Sequence, residues 1–301
     1  MKVLKNYYRG IKEATLQPKM IFVLWLINFI FSSLIFYISF KAFSGAIGKS
    51  GVGEKLLKEF DFNVLFEFLF HDGGFTTIFS VAFVLISVYF LVSILLCGGI
   101  LFTLTNPRKL NTGENRKQNF TSSFFQGAGE FFGRFFRLSI YSLILWGVFI
   151  VFNILFGLLG SLFTAKGDNE LLAFYLFWVR LGVGFFLLYL IRMILDYTRI
   201  KIVIEDSRHV FRSLFRTIKF VFKRLGKTLA LYYLFLITGI ILFGIYWILK
   251  LIIPSSSLVT IIIIFIVQQV FIAARGWIKI AFQAGQLKFY LSGRSKTDKS
   301  L

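Results

Sequence analysis

The sequence predicts an all-α, polytopic membrane protein: six transmembrane helices arranged as three hairpins, each preceded by a cytoplasmic amphipathic helix. Three observations carry this. Six apolar runs each reach the ~20 residues a helix needs to cross a ~30 Å hydrocarbon core. Lysine and arginine crowd into alternate connections between those runs. All three prolines, Pro18, Pro107 and Pro254, fall at run boundaries, where a missing N–H costs a helix least.

The runs are 20–40, 75–101, 138–163, 171–194, 229–249 and 258–280. The first follows Lys2, Lys5, Arg9, Lys12 and Lys19, as a signal peptide would, but it is about twice as long as a secretory apolar region and reads as an uncleaved span. Hydrophobic residues make up 57% of the chain, against the ~45–50% of soluble domains, which excludes an ordinary soluble fold. The net charge of +20 is then assigned to the membrane surface rather than to a nucleic-acid groove.

Charge orients the spans. The segment before the first run has five bases and one acid; 103–137 has six and two; 192–227 has ten and three; the part from Arg275 onward has six and one. The opposite side holds Lys41, Lys49, Lys55, Lys58, Lys166 and Lys250 against seven acids. The positive-inside rule therefore places both termini in the cytoplasm.

A helical stripe precedes each pair of spans. Leu4, Tyr7, Tyr8, Ile11 and Thr15 form the first, and Phe120, Phe124, Ala128, Phe131, Phe132, Phe135 and Phe136 the second. Phe211, Leu214, Phe215, Ile218, Val221, Phe222 and Leu225 form the third, with Arg212, Arg216, Lys219 and Lys223 on the polar side. Asp206 is placed to cap that helix, with Glu205 beside it at the positive end of the helix dipole. The chain is thus a single membrane domain, 1–301, with pseudo-repeats at 1–105, 116–200 and 206–291. An outer amphipathic segment is expected at 54–70 and a disordered tail at 292–301. The basic stripe reads either as a docking site for anionic head groups or an acidic protein, or as a topological anchor.

The run from Asp196 through Arg199, Ile200 and Glu205 to Arg208, leading into Ser213–Lys219, resembles a region of uncharacterised multi-pass bacterial inner-membrane proteins. It is distantly similar to the membrane domain of glycerophosphodiester phosphodiesterases. In those a span ends in Arg-Ile followed by a glutamate and then a cytoplasmic amphipathic helix. The resemblance implies a polytopic module of a bacterial plasma (inner) membrane and no catalytic residues, because the phosphodiesterase domain has no counterpart here.

Polar residues at membrane depth are the candidate sites. Arg180 lies nine residues into its run, about 13 Å from the outer edge at 1.5 Å per residue. Asn153, Gln268 and Gln269 lie at similar depth and are candidates to join it in binding a lipid or anion. Arg192, Asp196 and Arg199, spaced four and three, form an interfacial ion-pair face. The single cysteine, Cys97, permits no intrachain disulfide, and it cannot build a zinc site with two histidines, His71 and His209, on opposite sides. No Walker, HExxH or GxSxG motif is present.

The reading is a non-enzymatic integral inner-membrane protein without cofactor or metal. It serves as a structural or accessory module contacting anionic head groups of membrane phospholipids through its basic helices, within a protein complex or homo-oligomer and with no nucleic-acid partner. The alternative is a transporter or channel for a lipid-like or anionic solute using the mid-membrane arginine.

Overall fold

A computed structural model describes residues 2–47, 74–105, 120–164, 170–254 and 257–297. The expected outer segment 54–70 and the His71-Asp72 pair lie outside the described residues. The described residues are helical: α1 (Lys2–Thr15), α2 (Pro18–Ile47), α3 (Gly74–Thr105), α4 (Phe120–Thr164), α5 (Glu170–Glu205), α6 (Val210–Lys223), α7 (Leu225–Ile252) and α8 (Leu258–Thr297). Six of them, α2, α3, α4, α5, α7 and α8, are long and apolar enough to cross a membrane, so the chain is a multi-pass membrane protein.

The breaks between helices follow local chemistry. Pro18 occupies the first turn of α2, where its fixed φ suits a helix start, and α1 ends just before it. Between α6 and α7 the break is one residue, Arg224, whose φ of −131° leaves the helical region. Arg224 is held there: its guanidinium donates to Gly293 O at 3.0 Å and lies 5.0 Å from the Phe220 ring. The guanidinium fills the space that a Cβ on Gly293 would take, so a side chain there would have to displace it.

Two boundaries differ from expectation. The second amphipathic segment is not a separate helix; it runs unbroken into its span as the 45-residue α4. Its sequence offers no proline at the junction, and Ser139 there donates its hydroxyl back to Phe135 O at 3.0 Å instead of capping a new helix. Residues 292–297, expected in a disordered tail, continue α8, with Tyr290 and Gly293 buried near its end.

Burial is concentrated at one end of the spans. Met20 and Leu24 of α2, Ile94 to Leu104 of α3, Phe124 to Leu138 of α4, Ile191 to Val203 of α5, Leu231 to Phe235 of α7 and Ile280 to Tyr290 of α8 form one core with α1 and α6. This is the end that carries the bases. The remaining apolar stretches stay exposed, Phe36, Leu143, Phe174, Ile240 and Leu258 among them, as surface solvated by acyl chains would be. In the core α3, α5 and α8 each touch the other two. α2 packs on α3, α4 on α5, and α7 on α8.

Surface segments cross onto neighbouring spans. α1 lies on α8, the first part of α4 on the end of α3, and α6 on the end of α5. α1 crosses α8 closely, where Gly10 meets the backbone of Ala281 and Gly285. A similar crossing joins α4 to α3, where Gly127 meets Phe102 and Gly98.

Candidate functional site

α6 is seated by its small and aliphatic residues. Val210, Ser213, Leu214, Thr217 and Val221 are buried, and the Thr217 hydroxyl donates back to Ser213 O at 2.8 Å. At about 100° per residue these five share one arc. Phe211, Phe215 and Phe222 occupy a second arc, roughly 120° away. They are 54%, 57% and 56% exposed. Arg212, Arg216, Lys219 and Lys223, all exposed, occupy a third. The single apolar stripe read from the sequence is thus divided: half of it packs on protein, and the phenylalanines do not. The Phe211 ring lies 5.7 Å from Tyr141 and 4.8 Å from Phe215, which joins the aromatic arc to the exposed apolar surface of α4 at Ile140, Leu143 and Ile144.

The connection into α6 corrects the capping expectation. His209, not Asp206, stands at the N-cap, without a side-chain hydrogen bond to the helix. Asp206 instead adopts a φ of 45° in the turn after α5, a left-handed geometry that Asp tolerates. It pairs with Arg134 of α4. Glu205 accepts from the Tyr290 hydroxyl at 3.1 Å and lies 3.6 Å from Lys201. The acids tie three elements together rather than starting a helix.

Of the three predicted interfacial residues, two are brought together: Arg199 Nη1 is 3.3 Å from Asp196 Oδ1, while Arg192 is exposed and takes no part in that pair. Sequence reasoning missed the rest of this cluster. The Tyr232 hydroxyl donates to Asp196 Oδ2 at 2.8 Å and accepts from Gln286 Nε2 at 2.7 Å. Gln283 Nε2 contacts Cys97 Sγ at 3.6 Å. The network therefore spans all three central helices plus α7. Among the described residues, Tyr197 Oη, Gln283 Oε1 and Gln286 Oε1 are buried without a hydrogen-bond partner. The available signal was the pair of glutamines at the basic end of an apolar helix, which hydropathy averages conceal.

The four mid-membrane candidates do not converge. Gln269 accepts from Trp25 Nε1 at 3.0 Å, binding α8 to α2, and Gln268 beside it is exposed. Arg180 and Asn153 share the α4–α5 interface instead. Asn153 donates to Phe149 O at 3.0 Å, and its Oδ1 is the near neighbour of Gly184. The Arg180 guanidinium lies against Gly157, where a Cβ would stand 2.9 Å from Nη1. Other mid-span polar groups are satisfied: Tyr89 donates to Asn28 Oδ1 at 2.8 Å, and Tyr7 shares a hydrogen bond with Thr238 at 2.7 Å.

No protein-family model, curated protein or solved structure matches the chain.

Proposed function

We propose that this chain is a non-enzymatic integral protein of a bacterial inner membrane, acting as a structural or accessory module that grips anionic head groups. Its termini are cytoplasmic, and α6 is the gripping element. The observation that carries the reading is the three-arc design of α6. One arc is fixed to protein, one presents phenylalanines continuous with the apolar surface of α4, and one presents four bases beside them. A helix with that division lies in the interface with its rings among acyl chains and its cations among head groups. Each base near an anionic leaflet adds about 1 kcal/mol of attraction.

The same design supports a threefold plan of amphipathic segment plus hairpin. Buried residues recur at four-residue intervals as Asn6, Gly10, Ala14; Ser123, Gly127, Phe131; and Ser213, Thr217, Val221. In each segment the next arc in the same rotational sense is exposed and apolar: Leu4 and Tyr8; Phe125 and Phe136; Phe211, Phe215 and Phe222. Each segment also lies on the second span of the preceding unit, with α1 closing the circle on α8. A small or short residue at the middle position, Gly10, Gly127 or Thr217, allows the close approach.

The test is charge reversal of Arg212, Arg216 and Lys219 in the full chain, reconstituted in mixed phosphatidylglycerol and phosphatidylcholine nanodiscs. The expected outcome is loss of phosphatidylglycerol enrichment around the protein, with the difference from wild type shrinking as salt is raised. Unchanged enrichment would refute the grip. Orientation has its own check: a cysteine introduced at Lys166 in a Cys97→Ser background should be labelled only from outside the cell.

A further inference from the structure

We propose that the groove between α4 and α5 is a binding site for the phosphate head group of a membrane lipid, with the exposed Arg180 at one end of it. Phe156, Gly157 and Gly160 of α4 and Ala173, Leu176, Phe177 and Arg180 of α5 line a cavity of about 170 Å³. That is several times the ~30 Å³ share of one water, so a group larger than water fits. Residues 173, 176, 177 and 180 follow the spacing of one helical face, and all the other α5 lining residues precede Arg180. The cavity therefore runs from the guanidinium toward the 165–169 end of the hairpin, away from the basic ends of the spans.

The guanidinium is prepared for an anion. It offers five N–H donors in a fork that matches phosphate oxygens. None of the ion pairs and side-chain hydrogen bonds among the described residues uses it. Glu170 opens the same helix ten residues earlier, about 15 Å along the axis. An arginine at membrane depth is costly to hold there, and an anionic partner offsets that cost. Gly157 fixes the group in place by leaving it the room of a side chain, and a Cβ at Gly160 would meet nothing within 4 Å, so the wall there is low.

The occupant is a lipid rather than a free anion because the walls are apolar and face the bilayer. Ala173 and Phe177 are exposed beside the cavity, on a surface that also carries Phe174, Trp178 and Leu181. A lipid phosphate and inorganic phosphate both lose hydration among such walls, but only the lipid brings an acyl chain whose contact with them offsets that cost. The proposal rests on the membrane-spanning reading of α4 and α5, and not on the role of α6.

The test uses the full chain carrying the charge-reversed α6, so that lipid held at that helix does not contribute. Native mass spectrometry with added dioctanoyl phosphatidic acid should show one tightly held lipid per chain. Arg180→Gln should weaken it by roughly tenfold or more, the worth of a charge-assisted hydrogen bond. Ala173→Leu, which narrows the groove from its exposed side and leaves the guanidinium intact, should weaken it as well. If Arg180→Gln does not fold, Ala173→Leu decides. Absence of a tight lipid, or equal binding in the folded variants, overturns the site. Displacement of the lipid by inorganic phosphate at comparable concentration overturns the lipid as occupant and assigns the groove to a solute anion.

Discussion

Replacing Gly10 by alanine should loosen the whole basic end of the molecule. A Cβ built there lies 2.5 Å from Ala281 O, 2.7 Å from Gly285 N and 2.8 Å from Gly285 Cα. All three are backbone atoms of α8, so no side chain can swing aside. Ordinary contact is 3.4–4 Å, so α1 must retreat by about 1 Å along its closest crossing. Backbone displacement of this kind costs typically 1–3 kcal/mol. The retreat also strains the flanking bonds that α1 makes: Glu13 to Lys288 at 2.9 Å and the Trp277 indole to Thr15 at 3.1 Å. Alanine regains up to ~1 kcal/mol of helix propensity, which the clash must exceed. A net loss of about 1–2 kcal/mol is expected, seen as a lower thermal midpoint in detergent. Gly129→Ala is the control: its Cβ meets nothing within 4 Å, and Gly129 is exposed, so the same propensity gain should leave that variant as stable as wild type or more so. If both variants melt alike, α1 is not held on α8 in the way described.

Three further outcomes follow from the same contacts. Asp196→Ala removes the partner of Arg199 and the acceptor of Tyr232; because both charged groups are partly exposed, the loss should be about 2 kcal/mol rather than the 3–5 of a fully buried pair, read by denaturant titration. Swapping Glu13 and Lys288 should restore most of the stability lost in Glu13→Lys alone, and a double-mutant cycle with no coupling would show that the pair does not join α1 to α8. Cys97 is buried in the core, so maleimide should label it slowly in the folded protein and at once after denaturation; rapid labelling of folded protein would mean that α3 and α8 are not packed there.

The spans were legible because membrane crossing imposes long apolar runs, and the helices carry them with boundary shifts of a few residues or more. Pro18 announced one break, whereas the break at Arg224 was silent: no proline marks it, and the contact its side chain makes is with Gly293, nearly seventy residues away. The third stripe was found but not its division. Leu214 and Phe215 are equally apolar in sequence, and only the position of α5 decides that one is buried and the other 57% exposed. For the site, spacing within one helix brought out Asp196 with Arg199. Tyr232 and Gln286 belong to other helices, and periodicity carries no information about which faces of separate helices meet.

The unbroken α4 has a mechanical consequence. Its 45 residues make a rod about 68 Å long, more than twice the hydrocarbon thickness. The helical ladder is interrupted between α1 and α2 at Leu16-Gln17 and between α6 and α7 at Arg224, but nowhere along α4. A change in the tilt of α4 would therefore be carried, with no break in the ladder, into the Phe-rich turns that pack on α3.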